Sequence, residues 1–218
     1  MSNRIKIAIS IPTAGTVRMS FAYSLAGLIA SFAGRKVPTV PEAEITMHLA
    51  VLESSNWITN RERLARMAIE AGDTHLMFLD DDMIFEPQVL DYLLGRRQPI
   101  VCTNYLIKTE PKDKAEFVAV GMDGQRLPTR EESVGIQPIL YSGFGVSLID
   151  VEVFKKTPQP WFLPDFHAAN GGEYTTEDNP FFRRAREAGF PVYLDHDASK
   201  LVSHCGNAVW NWKEVKHG

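Results

Sequence analysis

Asp80, Asp81 and Asp82 are three consecutive carboxylates at the end of an apolar run, Leu76-Met77-Phe78-Leu79. Adjacent acids repel one another, and an anion held beside a core is unfavourable unless a cation offsets it or it takes up a proton. On an extended backbone Asp80 and Asp82 point to one side and Asp81 to the other. Hard oxygen ligands in that arrangement suit magnesium or manganese, especially when phosphates complete the shell. The alternative is a solvated turn in which one acid caps the helix that starts near Glu86-Pro87. A second group of charges lies upstream. Thr59-x-x-Glu62 fits a capping box, which places Arg61 and Arg63 in the first turn of a helix. Cations are disfavoured at that end, so two arginines there call for an anion such as a diphosphate, or else form a solvated pair.

The elements that must hold these residues alternate between strand and helix. Four apolar residues before the acids are too short a run for a helix and read as a buried strand. Ile5, Ile7, Ile9 and Ile11 alternate with more polar neighbours as a first strand with one strongly buried face, ending at Pro12-Thr13-Ala14-Gly15-Thr16. That loop leads to a helix with Met19, Ala22, Ala26, Ile29, Ala30 and Phe32 on one face and Gly34 as its stop. Small, hydroxylated residues at the carboxyl end of a strand either let a nucleotide approach the backbone, in the place where open α/β sheets bind ligands, or form an ordinary connection. Ile45, Met47, Leu49 and Val51 form a second alternating strand. Pro87 fits a first helical position ahead of Val89, Leu90, Leu93 and Leu94, and Ile100-Cys102 is the next strand. The pattern predicts a mainly parallel central sheet flanked by helices.

From Lys108 to Gln137 the periodicity fails, and the stretch is expected to be a hairpin or a mobile loop over the site. Ile139 to Ile149 restores strand character, with Gly143 and Gly145 where a backbone or ligand comes close. Asp150 can cap a short helix, and Trp161 with Phe162 forms either a cleft wall or core. After Gly171-Gly172, Glu177 and Asp178 precede a helix carrying Phe181, Phe182 and Ala185. His204 follows Leu201 and Val202, as a packed core histidine would, but precedes Cys205 and Gly206, whose small size leaves room for a ligand.

The chain has 218 residues, 44% of them apolar, and a net charge of −4. This fits one α/β domain and gives no global attraction to nucleic acid or anionic membrane. No run approaches the roughly 20 apolar residues that span a bilayer. No signal-peptide pattern opens the sequence, so no membrane insertion and a cytoplasmic location are expected. Cys102 and Cys205 lie far apart without metal-ligand spacing and are expected as free thiols.

Taken in order, these pieces resemble the GT-A fold glycosyltransferases, in particular the short, bacterial or phage members related to family two. The resemblance is carried by Ile11-Pro12-Thr13, the helix bearing Arg61, Phe78-Leu79-Asp80-Asp81-Asp82 as an Asp-x-Asp motif, and Ser142-Gly143-Phe144-Gly145. It continues in Thr176-Glu177-Asp178-x-x-Phe181-x-x-Arg184 and Ser203-His204-Cys205-Gly206, and so covers nearly the whole chain. It implies a single GT-A (Rossmann-like) domain in which residues 1–105 bind a nucleotide-sugar, with a UDP-sugar the first expectation, and residues 106–218 bind the acceptor and carry catalysis. It implies that Asp80 and Asp82 hold a divalent metal on the diphosphate, and that a late histidine, His204, returns to that metal. Imidazole favours manganese, with magnesium second. Pro12, Thr13, Gly15, Arg61, Arg63, Asp80, Asp81 and Gly143 are then the donor-binding set. If configuration inverts, a carboxylate must deprotonate the acceptor hydroxyl, and Asp178 with Glu177 is the candidate, although both also suit the helix dipole.

Two other functions fit parts of the pattern. A sugar nucleotidyltransferase would use a similar sheet and metal, yet Pro12-Thr13-Ala14-Gly15 is short for its glycine-rich basic loop. A non-catalytic carbohydrate-binding or structural protein would not need Asp80, Asp82, Glu177, Asp178 and His204 together. The acceptor stays open among lipids, glycans, proteins and DNA bases such as hydroxymethylcytosine. Lys108, Lys112, Lys114, Arg126 and Arg130 offer a basic lip for DNA, interspersed with Glu110, Asp113, Glu116, Asp123, Glu131 and Glu132.

Overall fold

A computed structural model describes residues 4–32, 37–109, 115–167 and 172–214. Gly34, Glu110, Pro111, Lys112, Asp113, Lys114 and Gly171, all used above, lie outside the described residues. The chain begins β1 (Arg4–Thr13), α1 (Met19–Phe32), β2 (Glu44–Glu53), α2 (Trp57–Glu70), β3 (His75–Leu79), β4 (Met83–Phe85), α3 (Val89–Gly95) and β5 (Ile100–Cys102). It continues with β6 (Val120–Gly121), β7 (Ile136–Tyr141), β8 (Val146–Asp150), α4 (Val151–Lys156), β9 (Phe166–His167), β10 (Glu173–Tyr174) and α5 (Asp178–Glu187). Last come β11 (Tyr193–Asp195), α6 (His196–Ser199), β12 (Val202–Cys205), β13 (Val209–Asn211) and a 3-10 turn, Trp212–Glu214.

The central sheet has eight strands in the order β2-β1-β3-β8-β5-β11-β7-β6. Six of them (β2, β1, β3, β5, β11 and β6) run one way and β8 and β7 the other, which is the mainly parallel sheet that the strand-helix alternation predicts. The run from Ile139 to Ile149 is not one strand. It breaks at Ser142-Gly143-Phe144-Gly145, so that β7 pairs with β11 while β8 inserts between β3 and β5. Alternating side chains feed two cores. Ile7, Ile9, Ile11, Met77, Leu79 and Val101 pack with α1 and α3 on one face, while Ala8, Leu76, Phe78, Ile100 and Cys102 pack with α2, α4 and α5 on the other. Both faces of β1 and β3 are therefore buried, as expected for strands covered by helices on either side.

Local patterns mislead at the periphery. The buried face of α1 is Phe21, Ser24, Leu28 and Phe32, whereas Met19 is 83% and Ile29 42% exposed. The strand β2 is an edge strand, so Leu49 and Val51 of its alternating set stay half-exposed. Helix α2 starts at Trp57 with Asn56 as its cap, the Asn56 Oδ1 accepting from the Thr59 amide at 3.0 Å. The capping box centred on Thr59 is therefore displaced, and Pro87 likewise precedes the cap Gln88 of α3. Asp150 does cap α4, accepting from the Glu152 amide at 2.8 Å. Trp161 and Phe162 are buried core residues, and Cys102 and Cys205 are free thiols.

The described part of the aperiodic stretch is a hairpin packed on the sheet. Asn104 pins it, donating to the Leu127 carbonyl at 2.6 Å and the Thr129 hydroxyl at 3.2 Å while accepting from the Ala119 amide at 3.1 Å. His196 ties the far end, with Nδ1 3.0 Å from the Thr129 hydroxyl and Nε2 3.2 Å from the Gln137 amide oxygen. Burial lowers the His196 pKa from its ordinary value, against Asp195 and Asp197, which raise it, and with Lys200, which lowers it further. A pKa below that of the unfolded chain means the fold prefers the neutral ring. This contribution is complete above about pH 6.5 and is lost as the pH falls and the ring must charge. Urea denaturation from pH 7 to pH 5 should therefore show a steeper loss of stability for the natural protein than for His196→Gln. The difference should stay within the one-proton slope of about 1.4 kcal/mol per pH unit.

Candidate active site

The acids after β3 do not lie on an extended backbone. The Met83 amide donates to the Asp80 carbonyl at 3.1 Å, so Asp80-Asp81-Asp82 form a turn and their side chains splay to three different partners. Asp80 Oδ1 accepts from Arg61 Nη2 at 2.8 Å. Asp81 meets the Thr13 hydroxyl, and burial pushes its pKa up despite that bond. Asp82 Oδ2 accepts from Lys108 Nζ and lies 3.4 Å from His204 Nε2. Burial would raise the Asp82 pKa, but His204 and Lys108 bring it down to about 2.

Arg61 is only 3% exposed and reaches a second carboxylate, with Nε donating to Glu177 Oε1 at 3.2 Å. Its guanidinium lies 5.1 Å from the centroid of Phe78 and 4.7 Å from that of Phe144. Burial would lower the Arg61 pKa, but Asp80, Glu177 and Asp178 raise it, so the side chain stays charged. These contacts correct the expectation of two arginines in a first helical turn. Arg61 is one turn inside α2, and its anions are protein carboxylates. Arg63, about 200° further round the helix, is exposed on the other side.

His204 arrives by strand pairing. Strand β12 runs antiparallel to β4, the strand that follows the acidic turn, with His204 opposite Met83, and the Cys205 amide donates to the Asp82 carbonyl at 2.8 Å. His204 Nδ1 lies 2.9 Å from the Leu106 carbonyl, which can only accept, so Nδ1 carries a proton. In the neutral ring Nε2 then presents a lone pair to Asp82 Oδ2. Two acceptors face each other, and a proton or a cation between them satisfies both.

Two cavities meet at this pair. One, of about 470 Å³, is lined by Ala14, Thr16, Arg18 and Trp57 with Asp81, Asp82 and Lys108. The other, of about 440 Å³, includes Tyr105, Tyr141, Thr176, Asp178, Asn179 and His204. Asp178 opens α5, and its carboxyl is pushed well above the ordinary range by burial first and then by Glu177 and Asp80, with Arg61 opposing. Glu177, the residue before α5, makes no side-chain cap and turns to Arg61 instead.

The remaining candidates are placed as follows. Pro12 and Thr13 are buried at the end of β1. Gly15 has φ 105°, and a Cβ there would come 2.7 Å from Glu53 Oε1, so the glycine serves the turn and its neighbours Ala14 and Thr16 line the cavity. At Gly143 a Cβ would lie 2.0 Å from the Tyr105 hydroxyl, and at Gly145 2.7 Å from the Tyr105 ring. The expectation that Gly143 admits a donor is corrected, because the space belongs to Tyr105, whose hydroxyl accepts from the Gly145 amide at 3.1 Å. Gly206 likewise makes room for Lys108 and Trp210. Arg126 is engaged by Glu116 at 3.3 Å and donates to the Val118 carbonyl. Sequence reasoning missed Tyr105, Trp57 and the reach of Lys108. Tyr105 follows the carboxyl end of β5, and that position in an α/β sheet was the available signal.

No protein-family model matches the chain, and no curated protein matches it by sequence. Solved structures do. A197 from STIV superposes with a TM-score of 0.55 at 20% identity over 92% of this chain and 85% of that one. GalNAc-T7 solved with UDP, GalNAc and Mn2+ superposes with a TM-score of 0.57 at 12% identity, over 93% of this chain. The chain spans 44% of the length of that GalNAc-T7 chain. The fold is that of the GT-A glycosyltransferases. Within this GT-A fold no group of three or more histidine, cysteine, aspartate or glutamate side chains is arranged to hold a metal among the described residues. No helix among them is long and apolar enough to cross a membrane. The expected triad of Asp80, Asp82 and His204 is thus not assembled: Asp82 and His204 converge, while Asp80 turns to Arg61.

The close seating of Tyr105 on Gly143 yields a test. Gly143→Ala should lower stability by about 1–3 kcal/mol through overpacking. In the Tyr105→Phe background the same substitution should cost less, because the atom nearest the new methyl is gone. Equilibrium urea denaturation of the four proteins reads both.

Proposed function

We propose that this protein transfers a sugar from a nucleoside-diphosphate donor, a UDP-sugar in the first instance, to an acceptor hydroxyl. The observation that carries the reading is the meeting of two cavities at Asp82 and His204, with a carboxyl of raised pKa, Asp178, in the second cavity. The first cavity offers Trp57 to a base and Arg18 and Lys108 to phosphates, and the glycine-bearing loop after β1 forms its edge. In this reading residues 1–105 supply most of the donor side and residues 106–218 most of the acceptor side of a single domain, with Lys108 and His204 reaching back.

A divalent metal suits the facing oxygen of Asp82 and nitrogen of His204, a donor set that manganese accepts more readily than magnesium. Those two residues would hold it, with donor phosphates completing the shell, and when bound it would neutralise charge developing on the departing diphosphate. GalNAc-T7 was solved with UDP and Mn2+, which supports the same pairing here. Asp80 is not assigned to the metal, because Arg61 already satisfies it. Its role is to fix the acidic turn through Arg61, which also holds Glu177 beside Asp178.

Transfer forms a bond from the acceptor oxygen to the anomeric carbon and breaks the bond from that carbon to the diphosphate, while the hydroxyl proton passes to Asp178. A carboxylate whose pKa is raised by burial and by Glu177 is a stronger base than an ordinary one. Its position across the pair from the donor cavity supports attack from the opposite face and inversion. Glu177 raises that pKa by its charge and is itself held by Arg61.

Release of UDP from UDP-sugars with manganese, followed in a coupled assay with glycan and oligonucleotide acceptors, tests the function. Asp178→Asn should retain UDP binding and lose roughly 100- to 10,000-fold in turnover, the range for removing a positioned base. Unchanged turnover, or a product of retained configuration, removes Asp178 from this role.

A further inference from the structure

Lys108 reaches the acidic turn from a separate part of the chain. The Ile107 amide donates to the Glu116 carbonyl at 2.8 Å, Leu106 bridges Phe117, and Trp210 Nε1 donates to the Thr109 carbonyl at 3.3 Å. The lysine stem is laid over Gly206, where a Cβ would come 3.2 Å from Lys108 Cδ. From this seat Nζ donates to Asp82 Oδ2, the oxygen that also lies 3.4 Å from His204 Nε2. The Lys108 and Asp82 side chains are 30% and 28% exposed, so the ammonium is partly withdrawn from water.

One carboxylate oxygen thus has two claimants. An ammonium already hydrogen-bonded to Asp82 Oδ2 would stand within a few ångströms of any divalent ion bridging that oxygen to His204, and like charges at such range repel strongly. We infer that Lys108 is a tethered counter-ion for the Asp82–His204 pair, which a divalent cation displaces on entry, turning the ammonium into the 470 Å³ cavity that Lys108 lines, where donor phosphates would meet it. The inference rests on the reading of Asp82 and His204 as the metal-holding pair. It explains how an acidic turn remains stable before donor and metal arrive. It also makes apparent metal affinity depend on the fraction of molecules in which the lysine is away.

Manganese binding without nucleotide, measured by calorimetry and by the electron paramagnetic resonance signal of free manganese, tests the exchange. Lys108→Met keeps the stem over Gly206 and removes the charge, whereas Lys108→Arg keeps the charge. If the lysine occupies the oxygen nine-tenths of the time, Lys108→Met binds manganese about tenfold more tightly than the natural protein. Lys108→Arg stays close to the natural protein. Equal affinity in Lys108→Met and the natural protein overturns the counter-ion role while leaving the metal pair intact. No binding by either overturns the pair as well. In the natural protein, saturating manganese should raise the acetylation rate of Lys108 several-fold, read by peptide mass spectrometry, and leave Lys155 on α4 unchanged. An unaltered Lys108 rate overturns the displacement even if Lys108→Met fails to fold.

Discussion

The buried guanidinium of Arg61 between Asp80 and Glu177 is the interaction on which the site depends. A charge 3% exposed on an aromatic floor is tolerated only while carboxylates meet it, and removing one partner of a buried pair costs about 3–5 kcal/mol. The contact joins two places far apart in sequence, the turn after β3 and the start of α5. It withdraws Asp80 and Glu177 from other work. Asp80 cannot also serve as an unencumbered metal ligand, and Glu177 cannot cap the helix it precedes. What remains for chemistry lies just further along, Asp178 one residue past Glu177 in one cavity and Asp82 two residues past Asp80 in the other.

Sheet topology then sets the distances. Because β8 runs backwards between β3 and β5, its first residue Val146 lies beside Leu79, and Ser147 lies beside both Phe78 and Cys102. The Ser142–Gly145 loop, the acidic turn and Tyr105 therefore share the carboxyl edge of the sheet, the edge where α/β proteins bind ligands. Tyr105 fills the space that two missing Cβ atoms leave. Pairing of β4 with β12 closes the arrangement by setting His204 opposite Met83, one residue beyond Asp82.

Much of this is legible locally. The apolar run before the acids is a fully buried strand, and the helix after Glu177 buries Phe181, Phe182 and Ala185. The parts that are not legible depend on partners distant in sequence. Spacing places Asp80 and Asp82 on one side only if the backbone is extended, and a single hydrogen bond from Met83 makes it turn. Glycines at 143 and 145 signal close approach without naming the ring that approaches. The apolar alternation of β2 is real, yet its place at the sheet edge leaves half of it in water. Arg61 and Arg63 differ by two residues and by just over half a helical revolution, so only one can reach the acids.

A double-mutant cycle on Arg61→Met and Asp80→Asn, read by equilibrium urea denaturation at pH 7, tests the dependence of the site on its buried cation most directly. Arg61→Met leaves Asp80 and Glu177 without their shared cation and should lose about 3–5 kcal/mol, whereas Asp80→Asn leaves Glu177 on Arg61 and should lose less. The double variant should lose less than the sum, by a coupling energy of about 0.5–3 kcal/mol. Losses that simply add, or a single Arg61→Met variant as stable as the natural protein, would contradict the account.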